Sequence, residues 1–167
     1  MIETLQPSPR PPQRTRRLLA LLPLALGCAA LTLPQRSRAA TLATPESLAT
    51  ALAQALGAGQ PLVLMASLHG CPFCRVVRDH HLAPLRDTGQ AVVQLDMGET
   101  RALRDFDGKP TTHAAWLRAR GIEVAPTLLF FGRGGREVAP RLVGASIPDF
   151  YGAYLDERMA QARLNLG

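Results

Sequence analysis

The residues of this chain that are best suited to chemistry are two cysteines, three positions apart, in the sequence Cys71-Pro72-Phe73-Cys74. The third cysteine, Cys28, lies in an apolar N-terminal stretch. Two cysteines are too few for a framework of structural disulfides, but at this spacing they can close a tight disulfide that other thiols reduce. The pair therefore indicates thiol–disulfide exchange.

The local pattern predicts where the two sulfurs lie. Residues 61–66 are a continuous apolar run, which is typical of a strand buried on both faces. A helix is predicted to begin at the cysteines, because Pro72 suits a first helical turn, where its missing N–H leaves no bond unmade. The positive end of such a helix favours a thiolate. We therefore expect Cys71 to be the nucleophile and Cys74, one turn further and more buried, to be the resolving cysteine.

The remaining pattern predicts an α/β fold in the order α β α β α β β α. A first helix is expected to run from an N-cap Thr44 to Gly57, and Pro84 is expected to disturb the end of the cysteine helix. Residues 98–110 are predicted to be a loop with a short helical turn. Further elements are predicted as a strand at 91–97, a helix at 111–120 capped by Thr111, a strand at 124–131, a turn at 132–135, an edge strand at 138–143 and a last helix from Ser146 or Asp149. This order gives a central mixed sheet of about four strands with helices on both faces.

The layout resembles the thioredoxin family. In that family a strand leads to Cys-Pro-x-Cys at the start of a helix, and a later Ala-Pro-Thr opens an antiparallel strand, as Ala125-Pro126-Thr127 would do here. The resemblance covers residues 44–166 and implies a thioredoxin-like fold. It also implies that Pro126 is a cis-proline packed against the cysteines and that the backbone of Ala125 contacts the bound substrate. The residues around the cysteines further resemble bacterial periplasmic thioredoxin-like proteins, some of them associated with sulfur oxidation.

Two positions depart from that family. Cytosolic thioredoxins carry a buried aspartate six residues before the first cysteine, where this chain has Met65, and a tryptophan directly before it, where this chain has Gly70. We therefore expect the proton of the resolving thiol to pass to water or to the leaving thiolate. His69 is a candidate auxiliary residue, because an imidazolium close to Cys71 would favour its thiolate. The alternative is a solvated loop histidine.

The first 39 residues have the three parts of a secretory signal. An arginine-rich segment precedes an apolar stretch at 18–33, and Ser37 and Ala39 supply the small residues of a cleavage site. We therefore predict a signal peptide, or an N-terminal membrane anchor if this segment is not cleaved, and a periplasmic or otherwise exported protein. A lipoprotein modified at Cys28 is a further alternative.

Residues 40–167 are predicted to form one thioredoxin-like domain, for which their number is suitable. The formal net charge of the whole chain is +6, but much of the excess comes from arginines among the first forty residues. No run of lysine and arginine interleaved with aromatic residues follows them. This pattern argues against nucleic-acid binding.

These observations predict an enzyme that exchanges the Cys71–Cys74 dithiol or disulfide with protein substrates. We expect it to act more as a reductase, supplied by a redox partner such as a membrane electron donor, and to be a monomer without cofactor or bound metal. One alternative is a redox-sensitive module that binds or regulates a partner with little turnover, for example in sulfur oxidation. Another is a metal chaperone that uses both cysteines and a histidine.

Overall fold

The computed structural model describes residues 40–145 and 150–167. Both the predicted signal segment and the predicted start of the last helix lie outside these ranges. The described strands are β1 (Leu62–Ser67), β2 (Val92–Asp96), β3 (Ala102–Arg104), β4 (Pro110–Thr112), β5 (Thr127–Phe131) and β6 (Glu137–Val143). The described helices are α1 (Leu48–Gly57), α2 (Pro72–Val77), α3 (Ala83–Asp87), α4 (His113–Ala119) and α5 (Tyr151–Leu164), with a π-helical segment at Arg78–Leu82 and a 3₁₀ turn at Arg133–Gly135.

The main sheet has four strands in the order β2-β1-β5-β6. Strand β1 pairs parallel with β2 and antiparallel with β5, and β5 pairs antiparallel with β6. Strand β6 is an edge, which accommodates Pro140 because a residue without an N–H loses least there. The predicted fold class, an α/β fold with a mixed sheet of four strands between helices, is confirmed.

Helices cover both faces of this sheet, so each residue of β1 is buried. Because successive side chains of a strand point to opposite faces, β1 and β5 contribute to two separate apolar layers. Val63 and Met65 of β1 lie in the layer that also contains Cys74 and the buried residues of α5. Leu64 and its neighbours lie in the other layer, with the buried residues of α1 and α4. The position of Met65 on the cysteine face is therefore set by the period of the strand.

The sequence predicts that Pro84 disturbs the end of the helix that follows the cysteines. This prediction was wrong, because the helical residues continue past Pro84. They run through the π-helical segment Arg78–Leu82 into α3, which ends at Asp87. Pro84 lies in the first turn of α3, where a backbone N–H is not needed for the helix. The wider π-helical turn interrupts the α-helical hydrogen bonds, so α3 begins anew after it. Pro84 is tolerated because it lies in the first turn of this new helix.

The prediction of a loop with a helical turn at residues 98–110 was also wrong. This segment contains β3, which pairs antiparallel with β4 in a separate two-stranded sheet. The Asp105 carboxylate accepts hydrogen bonds from the backbone N–H groups of Asp107 and Lys109, and these bonds close the turn between the two strands. Strands of three residues are too short to give a periodic pattern in the sequence.

The two predicted helix caps are each displaced along the chain. Ser47, not Thr44, caps α1, and its hydroxyl accepts the N–H of Thr50. The residues before Ser47 stay extended because the backbone of Gln94 and Arg104 donates hydrogen bonds to them. Similarly, Thr112 caps α4 instead of Thr111, whose backbone is paired in β4.

The π-helical segment packs on α5 through His81, whose ring centroid lies 5.0 Å from that of Tyr151. Burial lowers the pKa of His81, the neighbouring His80 lowers it further, and Asp156 opposes both. The folded protein therefore favours neutral His81, whereas the unfolded chain binds the proton with the ordinary pKa of about 6.5. This contribution to stability is complete above that pH and is lost as the pH falls below it.

We predict that the free energy of unfolding falls between about pH 7.5 and pH 5.5, and that His81→Phe reduces this fall, because phenylalanine keeps the ring contact without a titratable group. Urea unfolding at both pH values measures the effect. His69→Gln, on an exposed loop, is the matched control and should retain the wild-type pH dependence. An unchanged dependence in His81→Phe would contradict the assignment.

Candidate functional site

The two cysteines lie at the start of α2 and are joined by a disulfide, with their Cα atoms 5.2 Å apart. Cys71 is the N-cap residue, and its Sγ accepts a hydrogen bond of 3.1 Å from the N–H of Cys74. Cys71 is partly exposed, whereas Cys74 is fully buried. A substrate sulfur can therefore reach only Cys71 from solvent, which fits the predicted roles of nucleophile and resolving cysteine.

A tight turn between β1 and α2 directs Cys71 to the surface. The backbone N–H of Cys71 donates to the carbonyl oxygen of Leu68 at 3.2 Å. Gly70 adopts a φ of +73° within this turn, in the left-handed region that a residue with a side chain rarely occupies. This requirement accounts for glycine directly before the first cysteine.

The segment Ala125-Pro126 lies next to the disulfide, although it is 54 residues further along the chain than Cys71. The peptide bond between these two residues is cis. The carbonyl oxygen of Ala125 is 4.0 Å from the Sγ of Cys71. Pro126 is buried and Ala125 is half-buried, so the backbone at Ala125 borders the same surface as the nucleophile. Contact between this backbone and a substrate remains a prediction.

The surroundings of Cys74 are apolar. Its side chain belongs to a buried cluster with Met65, Val77 and Leu128. The buried polar residues of the described ranges are Ser67, Gln90, His113 and Thr127, none of which is an acid. No fully buried carboxylate among the described residues is therefore available to accept the proton of Cys74. The proton must leave by way of Cys71, the substrate or water.

His69 is exposed on the loop before Cys71. The hydrogen bonds of the described residues include none between His69 and either cysteine. Its auxiliary role therefore remains a prediction.

A polar cavity beside Cys71 was not predicted from the sequence. Its volume is about 400 Å³, and its lining includes Cys71 and the ends of β1 and β2. The charged side chains of the lining are Arg75, Arg78, Asp96, Glu99 and Arg101, and the two histidines are His69 and His113. The sequence held one signal for it: Ser67 follows the apolar run at 61–66, Asp96 lies near the end of the strand predicted at 91–97, and parallel strands end at the same edge of a sheet.

The described residues contain no group of three or more His, Cys, Asp or Glu side chains that could hold a metal ion. The metal-chaperone alternative therefore gains no support from residues 40–145 and 150–167. Within the same ranges, no helix is long and apolar enough to cross a membrane.

We predict that Met65→Asp lowers the free energy of unfolding by about 3–5 kcal/mol at neutral pH, because it buries a carboxylate without a partner beside Cys74. The penalty should shrink in acid, where the carboxylate is protonated. Met65→Leu, which keeps the volume and polarity, is the control and should cost less than about 1.5 kcal/mol. Equal stability of the two variants in urea would show that water reaches this cluster.

Comparison with known proteins gives one family match. The family model of the thioredoxin-like domain matches residues 48–158. No curated protein sequence matches the chain.

Several solved structures are similar to the chain at low sequence identity. A thioredoxin from Thermus thermophilus is 18% identical, with a TM-score of 0.51 over 76% of this chain and 92% of that one. DsbH oxidoreductase is 19% identical, with a TM-score of 0.50 over 78% of this chain and 93% of its own. The periplasmic thioredoxin SoxS from Paracoccus pantotrophus is 22% identical, with a TM-score of 0.42 over 62% and 99%. The family model covers more than half of the chain, and the chain therefore belongs to the thioredoxin-like family.

Proposed function

We propose that this protein is an exported oxidoreductase that exchanges its Cys71–Cys74 pair with thiols and disulfides of other proteins. The observation that carries the proposal is the pairing of a partly exposed Cys71 with a fully buried Cys74 at the start of α2. The Cys71 sulfur can react with a sulfur of another protein. The buried Cys74 sulfur can react only with Cys71.

The reaction balances over two displacements. In the reduced protein, the Cys71 thiolate attacks one sulfur of a substrate disulfide, forms a mixed disulfide and expels the other sulfur as a thiolate. That thiolate or water takes the proton of Cys74, whose sulfur then attacks Cys71 and expels the second substrate thiolate. Two electrons pass to the substrate and the Cys71–Cys74 disulfide remains; Cys74 supplies one proton, and the second substrate thiolate takes its proton from solvent.

The surface around Cys71 suits a polypeptide substrate. The backbone of Ala125 lies beside the nucleophile and would pair with an extended substrate chain. Phe73, between the cysteines, is 57% exposed, and Val124 is 46% exposed. Apolar side chains at the edge of a reactive sulfur give a protein substrate area to contact without requiring a particular sequence.

We propose that the protein acts as a reductase of its substrates more than as an oxidase. Strong oxidants of this class stabilise the thiolate of their reduced form. Here the arginines beside Cys71 share their cavity with two carboxylates, and Arg101 is paired with Glu99 at 3.1 Å. Their net effect on a Cys71 thiolate is thereby reduced. A reduction potential near about −270 mV would support this direction, and one near −120 mV would favour an oxidase.

Export rests on the sequence of the first 39 residues. Arginines, an apolar stretch and the small residues Ser37 and Ala39 follow one another in the order of a secretory signal. The N-terminal mass of protein recovered from the periplasm would identify cleavage after Ala39. A retained N-terminus would favour the membrane anchor.

The proposed exchange is tested by reduction of insulin with dithiothreitol as electron source. We expect the wild-type protein to accelerate it, Cys71→Ser to abolish the acceleration, and Cys74→Ser to accumulate mixed disulfides. Cys28→Ser removes the one cysteine outside the pair and should behave as wild type. A folded, reducible protein that does not accelerate insulin reduction would refute the enzyme. Capture of one protein by Cys74→Ser, instead of many, would favour the regulatory module.

A second prediction concerns the predicted substrate-contacting residue. Ala125→Glu should lower the rate with insulin about tenfold, equivalent to about 1.4 kcal/mol of lost transition-state binding, because the new side chain obstructs the substrate chain. Reduction of the variant by dithiothreitol should change much less, since this reagent is small. Ala153→Glu, at an exposed position of α5, is the matched control. An equal loss with insulin and dithiothreitol would contradict a role in substrate binding.

A further inference from the structure

The cavity beside Cys71 has the size and polarity of a small-molecule site. Its volume of about 400 Å³ falls within the range of cavities that hold small ligands. It reaches from the nucleophile, across the loop that follows β1, to the end of β2. Residues of both charge signs line it, so a purely apolar ligand would leave charged groups unpaired.

The arginines of this cavity have unused hydrogen-bonding capacity. Arg78 donates from Nη1 to the Gln94 side chain at 3.1 Å. Its buried Nε, which has no hydrogen-bond partner among the described residues, lies 3.7 Å from the Asp79 carboxylate, and its Nη2 forms no hydrogen bond with a described residue. Arg75 is exposed beside the cysteines and forms no ion pair with a described residue. Arg101 uses its Nε for Glu99, which leaves its two terminal nitrogens. Guanidinium groups with free N–H groups are suited to bind a carboxylate.

The acidic side of the cavity is formed by Asp96 and Glu99. One Asp96 carboxylate oxygen accepts the N–H of Gly98 at 2.8 Å, and Asp96 forms no salt bridge with a described residue. Glu99 is half exposed and shares one oxygen with Arg101. An ammonium group would find two carboxylates within one cavity.

His113 is a buried polar residue in the wall of the cavity. Its side chain is 1% exposed, and its Nδ1 accepts a hydrogen bond of 3.4 Å from the backbone of Asp96 and lies 4.0 Å from the Glu99 carboxylate. Burial lowers the pKa of His113 and Glu99 opposes this effect, so burial favours the neutral ring. Nε2 is enclosed by protein and has no hydrogen-bond partner among the described residues. His113 therefore contributes to the cavity by holding the backbone of Asp96 in place, and the ligand is bound by the charged side chains.

We propose that this cavity binds a low-molecular-weight disulfide of the amino-acid type, whose carboxylate pairs with the arginines and whose ammonium group pairs with Asp96 and Glu99. Cystine has this chemistry, and one half of it fits the cavity while the other half remains in solvent. Cys71 lines the same cavity, so the bound disulfide lies next to the nucleophile. The inference rests on the proposed exchange function and adds a small-molecule substrate class to it.

The reaction has the same balance as exchange with a protein. The Cys71 thiolate attacks one sulfur of cystine and expels a first cysteine as its thiolate. Cys74 then gives up its proton and attacks Cys71, which releases a second cysteine. The products are the Cys71–Cys74 disulfide and two cysteine molecules, with two electrons transferred, and the reverse reaction lets cysteine reduce the protein.

Three disulfides that differ only in their charged groups test the proposal. Cystine carries both charges, cystamine lacks the carboxylates, and 3,3′-dithiodipropionate lacks the ammonium groups. The rate of each with the reduced protein is divided by its rate with dithiothreitol, which corrects for intrinsic reactivity. We expect the corrected rate to be highest for cystine. Equal corrected rates, or preference for one of the singly charged compounds, would overturn the zwitterionic site.

Variants of the cavity locate the effect. Arg101→Gln and Asp96→Asn should each lower the ratio of the cystine rate to the insulin rate about tenfold, because each removes a hydrogen bond to a charged group. The matched control is Arg118→Gln, an exposed arginine of α4 that does not line the cavity. It should leave the ratio unchanged. A cystine preference that survives both cavity variants would place the site elsewhere.

Binding without reaction separates this inference from the proposed function. The double variant Cys71→Ser with Cys74→Ser cannot exchange disulfides, and calorimetric titration should still show that it binds cystine but not cystamine. Binding by this variant without insulin reduction by the wild type would support the site and refute the enzyme. Insulin reduction by the wild type without cystine binding would refute the site alone.

Discussion

The antiparallel pairing of β1 with β5 determines the geometry of the whole site. Ala66 of β1 is in register with Thr127 of β5, so the residues just beyond each partner meet at one edge of the sheet. The loop after β1 carries Cys71, and the residues before β5 are Ala125 and Pro126. Two segments that are distant in the sequence are thus held together by backbone hydrogen bonds in the most buried part of the domain.

The two cysteines lie in different environments, one apolar and one polar. On one face of the sheet, Met65 and its apolar neighbours enclose Cys74. At the edge of the sheet, polar residues at the ends of β1 and β2 border a charged cavity that also contacts Cys71. Cys71 lies where these environments meet. Its partner sulfur is shielded, while its own sulfur faces groups that can recognise a charged molecule.

Much of this arrangement could be predicted from local sequence. A central strand has to be apolar at every position, and residues 61–66 show that pattern directly. Cysteines three positions apart, with a proline directly after the first that suits a helix start, indicate the disulfide and its place at the start of α2. The approach of Ala125 and Pro126 to the cysteines came from a resemblance, because pairing between distant segments leaves no periodic signal.

Other features could not be predicted, because they depend on contacts between elements. Strands β3 and β4 have three residues each, and the side chain of Asp105 shapes the turn between them. Pro84 is harmless only because a π-helical segment precedes it. The cavity exists because the side chains at two strand ends and at the start of α4 do not fill the space between them. The sequence of any one of these segments therefore does not predict the cavity.

The burial of Cys74 also determines how the pair withstands oxidants. Peroxide that arrives from solvent meets only the sulfur of Cys71 and converts a thiolate there to a sulfenic acid. Cys74 is one turn away, protected from the same attack, and condenses with that sulfenic acid to form the disulfide and water. The sulfenic acid is thereby converted to the Cys71–Cys74 disulfide before it can be oxidised further to the irreversible sulfinic and sulfonic acids. Ordinary thiols can then reduce this disulfide.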